Sequence, residues 1–196
     1  MSQVDNVLKA FAIFKQAVSD NKDYLSDLDT PIGDGDHGNN MYRGVIAMAE
    51  MFEGQTFQQA ADIFKTAAMA LMSKVGGASG PLYGTALLEM SKQLKVDATD
   101  YVGALKAAAG GIKKRGHAEA GDKTMLDVWL PAGEALASGE LTVDAIDQWV
   151  QATEAMQARK GRASYVGERS VGHIDPGSMS TGYLLKAFLE AGVFND

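Results

Sequence analysis

Apolar residues recur at steps of three and four along almost the whole chain, and no stretch alternates. Val7, Phe11, Phe14 and Val18 begin the pattern. Met41, Val45, Met48 and Phe52 repeat it, and Phe57, Ala61, Phe64, Ala68 and Leu71 continue it. Such spacing lays one apolar stripe along a helix. The stretches Leu82–Leu94, Tyr101–Ile112, Met125–Leu136, Val143–Met156 and Met179–Phe188 carry the same period. The chain is rich in Ala, Met, Leu and Lys rather than in the β-branched and aromatic residues of strands. An all-α fold of about eight amphipathic helices is therefore expected, antiparallel because most connections are short. Thr56, Thr99-Asp100 and Thr142 each stand before a helical stretch, where a side-chain oxygen caps orphan N–H groups.

Composition removes several function classes. A length of 196 residues suits one domain, taken here as 1–196, and a 46% hydrophobic share supports a sizeable core. The net charge of −7 argues against nucleic acid, whose phosphates demand a basic face, and against an anionic membrane surface. With no cysteine there is neither a disulfide nor a thiolate metal site. The N-terminus lacks the basic start of a signal peptide, and apolar runs such as Ala67–Met72 are too short to cross a bilayer. A cytoplasmic protein is expected.

Four glycine-rich polar connections interrupt the helices: Asp27–Asn40, Val75–Gly84, Gly110–Lys123 and Gly161–Ser178. In the first, Asp34 and Asp36 alternate, so an extended backbone puts both on one side. Asp29 can fold back across Pro31-Ile32-Gly33 to join them. Three carboxylates are hard-oxygen ligands that suit Mg²⁺, which shares its remaining positions with water and phosphate oxygens. A single loop aspartate more often makes an Asx-turn or a helix cap, but Asp-Gly-Asp-His-Gly-Asn-Asn before a helix exceeds that role. An EF-hand is excluded, because the twelfth position counted from Asp34 is Val45 where a bidentate Glu is required.

In the second connection, glycines and Ser79 precede a helix expected from about Leu82. Backbone N–H groups at such a helix start favour an anion. No Lys-Ser or Lys-Thr pair follows, so this is not a P-loop, and a plain interhelical turn is about as good a reading. In the third, Asp122 or Thr124 reads as a helix cap, and Lys113, Lys114 and Arg115 as a solvated helix end. In the fourth, Arg162 and Arg169 are candidate phosphate clamps, because guanidinium matches phosphate bidentately. Asp175-Pro176-Gly177 reads as a turn into the last helix, and the rest could close as a lid. His37, His117 and His173 fall in different connections without the helical pairing of zinc enzymes, so a three-histidine zinc site is disfavoured. His37, among the aspartates, is the histidine placed at the phosphates.

Taken together, Gly33-Asp-Gly-Asp-His-Gly-Asn-Asn-Met41, Gly76-Gly-Ala-Ser-Gly-Pro-Leu-Tyr-Gly84, Gly121-Asp-Lys-Thr-Met125, and Gly161-Arg-Ala-Ser-Tyr-Val-Gly-Glu-Arg-Ser170 with Asp175-Pro-Gly177 resemble one family. It is the nucleotide-binding L subunits (DhaL) of dihydroxyacetone kinase, and the four pieces come in that family's order. The resemblance implies a closed barrel of eight antiparallel helices with ADP or ATP at one end. It implies two Mg²⁺ ions on Asp29, Asp34 and Asp36. It places His37, Gly38, Asn39, Asn40, Ala78 and Ser79 against the nucleotide, with Gly116, Met125, Arg162, Asp175, Pro176 and Gly177 lining the rest of its pocket. It further implies two partners: an M subunit whose phosphohistidine rephosphorylates resident ADP, and a K subunit holding the dihydroxyacetone that receives the γ-phosphoryl group. A chain of this length resembles the phosphotransferase-system form rather than the longer ATP-using polypeptide. Two alternatives stand beside it. One is an ATP-exchanging nucleotide domain of the fatty-acid-kinase kind. The other is an interaction module that reports phosphorylation state to a transcriptional regulator.

Overall fold

The computed structural model describes residues 2–195, and every described regular element is helical. In chain order these are α1 (Gln3–Asp20), α2 (Lys22–Asp29), α3 (His37–Phe52), α4 (Ala60–Lys74), α5 (Ser79–Val96), α6 (Tyr101–Gly116), α7 (Leu126–Ser138), α8 (Val143–Ala152) and α9 (Pro176–Glu190). Two 3₁₀ stretches, Thr153–Ala155 and Arg162–Ser170, lie between α8 and α9, the second broken by a kink at Gly167, whose φ is 57°. No helix among the described residues is long and apolar enough to cross a membrane.

Local chemistry fixes several helix starts. At α1, the Ser2 hydroxyl accepts from Asp5 N at 3.2 Å while the Asp5 carboxylate accepts from Ser2 N at 3.0 Å, a capping box. Asp100 and Thr142 cap α6 and α8 as expected, accepting from Gly103 N at 2.7 Å and Ala145 N at 3.1 Å. Asp175 caps α9 through Ser178 N at 2.7 Å, with Pro176 at the first helical position where no N–H is needed.

Other boundaries differ from expectation. Thr56 caps nothing, because α4 starts at Ala60 behind Gln59. Phe57 keeps the apolar period but spends it on an edge-on contact with Phe52, at 5.7 Å, across the turn between α3 and α4. Helix α5 begins at Ser79 rather than Leu82, and α6 runs through Gly110 to Gly116, with the buried Ile112 holding that last stretch to the core. The α8 stretch, expected to reach Met156, ends at Ala152 and tightens into a 3₁₀ turn. Helix α2 is not legible in the sequence: it has eight residues and buries Leu25 alone, so no apolar repeat develops.

Apart from α2, the helices form a closed circuit. Each of α3 to α8 packs on its successor, and α1 bridges α9 and α3. The apolar stripes face one continuous core, in which Phe11, Phe64 and Phe188 from α1, α4 and α9 meet edge to face at 5.6–5.7 Å. Alternate members of the circuit, α3, α5, α7 and α9, begin at the same end.

Candidate functional site

That shared end is an open cleft with both polar and apolar walls, the concave kind of setting that small-molecule sites use. Its walls are helix beginnings: His37 and Asn40 from α3, Ala78 and Ser79 from α5, Met125 before α7, and Pro176 and Gly177 from α9. The positive ends of these helix dipoles therefore face one space, a setting that favours an anion.

Asp29, Asp34 and Asp36 line the mouth of the cleft, each with an oxygen within 4.8 Å of the others. Among the described residues this is the one group of three or more acidic or histidine side chains that converges this closely. Asp29 closes α2, and the chain doubles back through Gly35, whose φ of 72° suits a residue without Cβ. The turn is pinned by Asp29 Oδ2, which accepts from Asp36 N at 3.0 Å and His37 N at 3.3 Å. Partial burial raises the Asp29 pKa, against those two hydrogen bonds. At Asp34 a burial cost acts upward, but contact with Asp36 and the Arg162 guanidinium outweigh it and the pKa falls. Arg162 Nη1 lies 2.5 Å from Asp34 Oδ2. All the donors in this cluster are hard oxygens on a half-open surface, a set that fits Mg²⁺.

Behind the cluster lies a buried polar chain that sequence reading does not find. His37 Nε2 is 2.9 Å from Ser180 Oγ, and Nδ1 is 3.3 Å from Ser79 Oγ. Ser180 continues to Tyr83 Oη at 2.7 Å, which reaches Thr181 at 3.1 Å. Burial pushes the His37 pKa down to about 4, so its imidazole is neutral near pH 7. The only local signal is a serine and a threonine on the inner face of an apolar helix, a pattern too common to single out.

The structure gathers most of the expected site residues. Asp29, Asp34, Asp36, His37, Asn40, Ala78, Ser79, Met125, Arg162, Asp175, Pro176 and Gly177 all line the cleft. Gly38, Asn39 and Gly116 are not among its lining residues. Helical rotation accounts for the first two, since His37 and Asn40 share a face and the positions between turn away. Gly38 packs on α2, giving its N–H to Ser26 Oγ at 3.1 Å; Asn39 is exposed, and Gly116 lies behind Leu82. Ile32, Leu82, Lys123, Thr124 and Lys160 are additional lining residues. Ile32 and Leu82 join Met125 as apolar surface in the cleft.

Asp175, buried beneath the cleft, has its pKa raised to about 6 by desolvation, against hydrogen bonds from Ser178. Thr124, expected as a cap, accepts from Leu126 N at 3.2 Å, although Asp127 holds most of that turn through Gly121 N and Thr124 N. His117 ends α6 in a left-handed conformation, and neither it nor His173 lines the cleft, so the histidines do not assemble.

The chain is similar to known proteins over most of its length. The DAK2 domain family model matches residues 31–190, starting just after Asp29. The ADP-binding subunit DhaL of PEP-dependent dihydroxyacetone kinase 1 from Listeria innocua is 49% identical over 183 residues, covering 92% of each chain. The ADP-binding subunit DhaL of the PTS-dependent dihydroxyacetone kinase from Lactococcus lactis is 46% identical, covering 97% of this chain and 98% of the relative. Among solved structures, the dihydroxyacetone kinase from C. freundii in complex with AMP-PNP and Mg²⁺ superposes with a TM-score of 0.74 at 25% identity. That match covers 95% of this chain, which spans 33% of the longer polypeptide.

Proposed function

Starting from the fact that this chain belongs to the DAK2 domain family, we propose that it is the ADP-binding subunit of a phosphotransferase-system-dependent dihydroxyacetone kinase. The observation that carries the reading is one cleft where an aspartate triad faces four helix beginnings. Relatives that match nearly end to end are named ADP-binding subunits, and a solved relative holds AMP-PNP and Mg²⁺.

In this reading Asp29, Asp34 and Asp36 hold Mg²⁺, two ions being the expected number. When bound, the metal neutralises charge on the phosphates and the transferring phosphoryl group. The chain's own part is positioning. Ser79 and the N–H groups at the start of α5 receive phosphate oxygens, and the dipole of α3 adds its positive end. Arg162 exchanges its Asp34 contact for phosphate. Ile32, Leu82 and Met125 take the adenine, and Asp175 keeps the α9 start rigid beside them. No nucleophile on this chain is needed, since phosphoryl transfer asks for alignment and charge neutralisation rather than covalent chemistry. The donor is a phosphohistidine on an M subunit and the acceptor is dihydroxyacetone on a K subunit, in the cytoplasm. The ATP-exchanging and regulatory alternatives have no observation of their own in this structure.

The test is resident nucleotide. Protein purified without added nucleotide, then denatured, should release ADP on chromatography, and native mass analysis should show ADP with magnesium. Absence of ADP, together with failure to retain added ADP in the presence of Mg²⁺, would refute the coenzyme reading.

A further inference from the structure

We propose that Lys123 is a positioning residue for the phosphate clamp: its buried ammonium closes the neck of the segment 156–173 and so sets where Arg162 stands over the aspartates. The inference rests on reading the cleft as a nucleotide site.

Lys123 is 1% exposed and has a φ of 62°, a conformation that costs a non-glycine residue. No carboxylate lies within salt-bridge distance of it among the described residues. Its Nζ instead donates to three backbone carbonyls: Met156 at 3.1 Å, Ser170 at 2.7 Å, and His173. An ammonium has three donors, and all three are used. Met156 precedes the strap; Ser170 and His173 follow it. One cation therefore ties both ends of a loop together. Three converging carbonyls are otherwise hard to bury, because their dipoles oppose one another and water is excluded.

The neck is reinforced nearby. Ser170 Oγ accepts from Ala158 N at 2.8 Å and donates to Gly167 O at 2.7 Å. Gly172 N donates to Glu154 O at 2.7 Å, and Arg159 N to Asp122 O at 3.1 Å. Beyond the neck, the strap has little to hold it. Tyr165 is 87% exposed, and between positions 160 and 169 the polar tie to the body among the described residues is Arg162 on Asp34. The position of Arg162 therefore depends on how the strap leaves its neck. Lys123 adjoins Thr124 and Met125, so the same turn forms the cleft wall and anchors the strap.

A double-mutant cycle on ADP affinity with Mg²⁺, by titration calorimetry, separates positioning from general support. Lys123→Met and Arg162→Ala should each weaken binding by about tenfold, or roughly 1.4 kcal/mol. The double variant should bind within about twofold of Arg162→Ala alone, because the effect of Lys123 passes through Arg162. Additive losses, about a hundredfold in the double variant, overturn the inference; so does a Lys123→Met protein that binds like wild type. Circular dichroism checks folding. If Lys123→Met does not fold, Lys123→Gln, which keeps two donors, takes its place in the cycle, where non-additive losses support the inference and additive losses overturn it. Failure of the wild-type protein to bind ADP with Mg²⁺ would instead refute the nucleotide reading, so the two failures are distinct.

Discussion

Asp34 stands between two opposite partners, the other carboxylates of the cluster and the Arg162 guanidinium, and its lowered pKa keeps it ionised. Asp34→Asn keeps the size and removes the charge. It should reduce phosphoryl transfer to background and weaken Mg²⁺ and ADP binding together, measured by calorimetry and a coupled kinase assay with partner subunits. Near-normal values for both would remove the aspartates from the site. His37 supplies a second prediction at this scale. Its folded pKa of about 4 lies below the unfolded 6.5, so the unfolded chain binds the extra proton between those values. The resulting stability is complete above about pH 6.5 and is lost as pH falls towards 4. The loss approaches 3 kcal/mol at about 1.4 kcal/mol per pH unit. Asp175 acts in the opposite direction: its folded pKa of about 6 exceeds 3.8, so it costs stability as pH rises through that interval. Subtracting the urea stability of His37→Gln from that of wild type, pH by pH, isolates the histidine. A flat difference between pH 7 and 4 would show that its ring is not shielded as the structure has it.

At the scale of elements, helix starts organise the site, and they are only partly readable in sequence. Thr142 and Thr56 look alike there, yet only Thr142 accepts a capping hydrogen bond. Thr142→Ala should cost about 1 kcal/mol in chemical denaturation, while Thr56→Ala should change little; equal costs would contradict the observed α4 start. Gly38 shows the tightest crossing. A Cβ built there lies 1.8 Å from the Lys22 carbonyl, so α2 and α3 can meet only with glycine at that point. Gly38→Ala should destabilise by about 1–3 kcal/mol through overpacking and also weaken ADP binding, since α2 ends in Asp29 and α3 begins at His37. A variant with wild-type unfolding and affinity would mean that this crossing is slack. Helix α2 itself escapes the sequence because one buried leucine makes no period, and so Asp29 reads there as a loop residue rather than a helix end.

Across the whole molecule, the closed helix circuit makes the core one body, and a defect anywhere in it should be felt cooperatively. Phe188→Ala removes a ring that meets Phe11, Phe64 and Phe194, and should cost about 3–5 kcal/mol, read as a fall in the midpoint of a single unfolding transition. Ligand should act in reverse: ADP with Mg²⁺ at a hundred times its Kd should add about 2.7 kcal/mol to stability, and EDTA should remove most of that gain; indifference to EDTA would argue against metal-dependent binding. The sequence alone is enough for the helical class, through a stripe repeating at three and four residues, because that period depends only on backbone geometry. It also determined which residues are chemically able to hold a metal and phosphates, because carboxylates, glycine-rich turns and arginines can be named without coordinates. It takes the folded chain to reveal that Asp29 closes on Asp34 and Asp36, that His37 is joined to Ser180 and through it to Tyr83, and that Lys123 ties the strap. Each of those links spans residues brought together by the packing of whole helices, and a desolvated contact made at such a distance along the chain leaves no periodic or local trace in sequence.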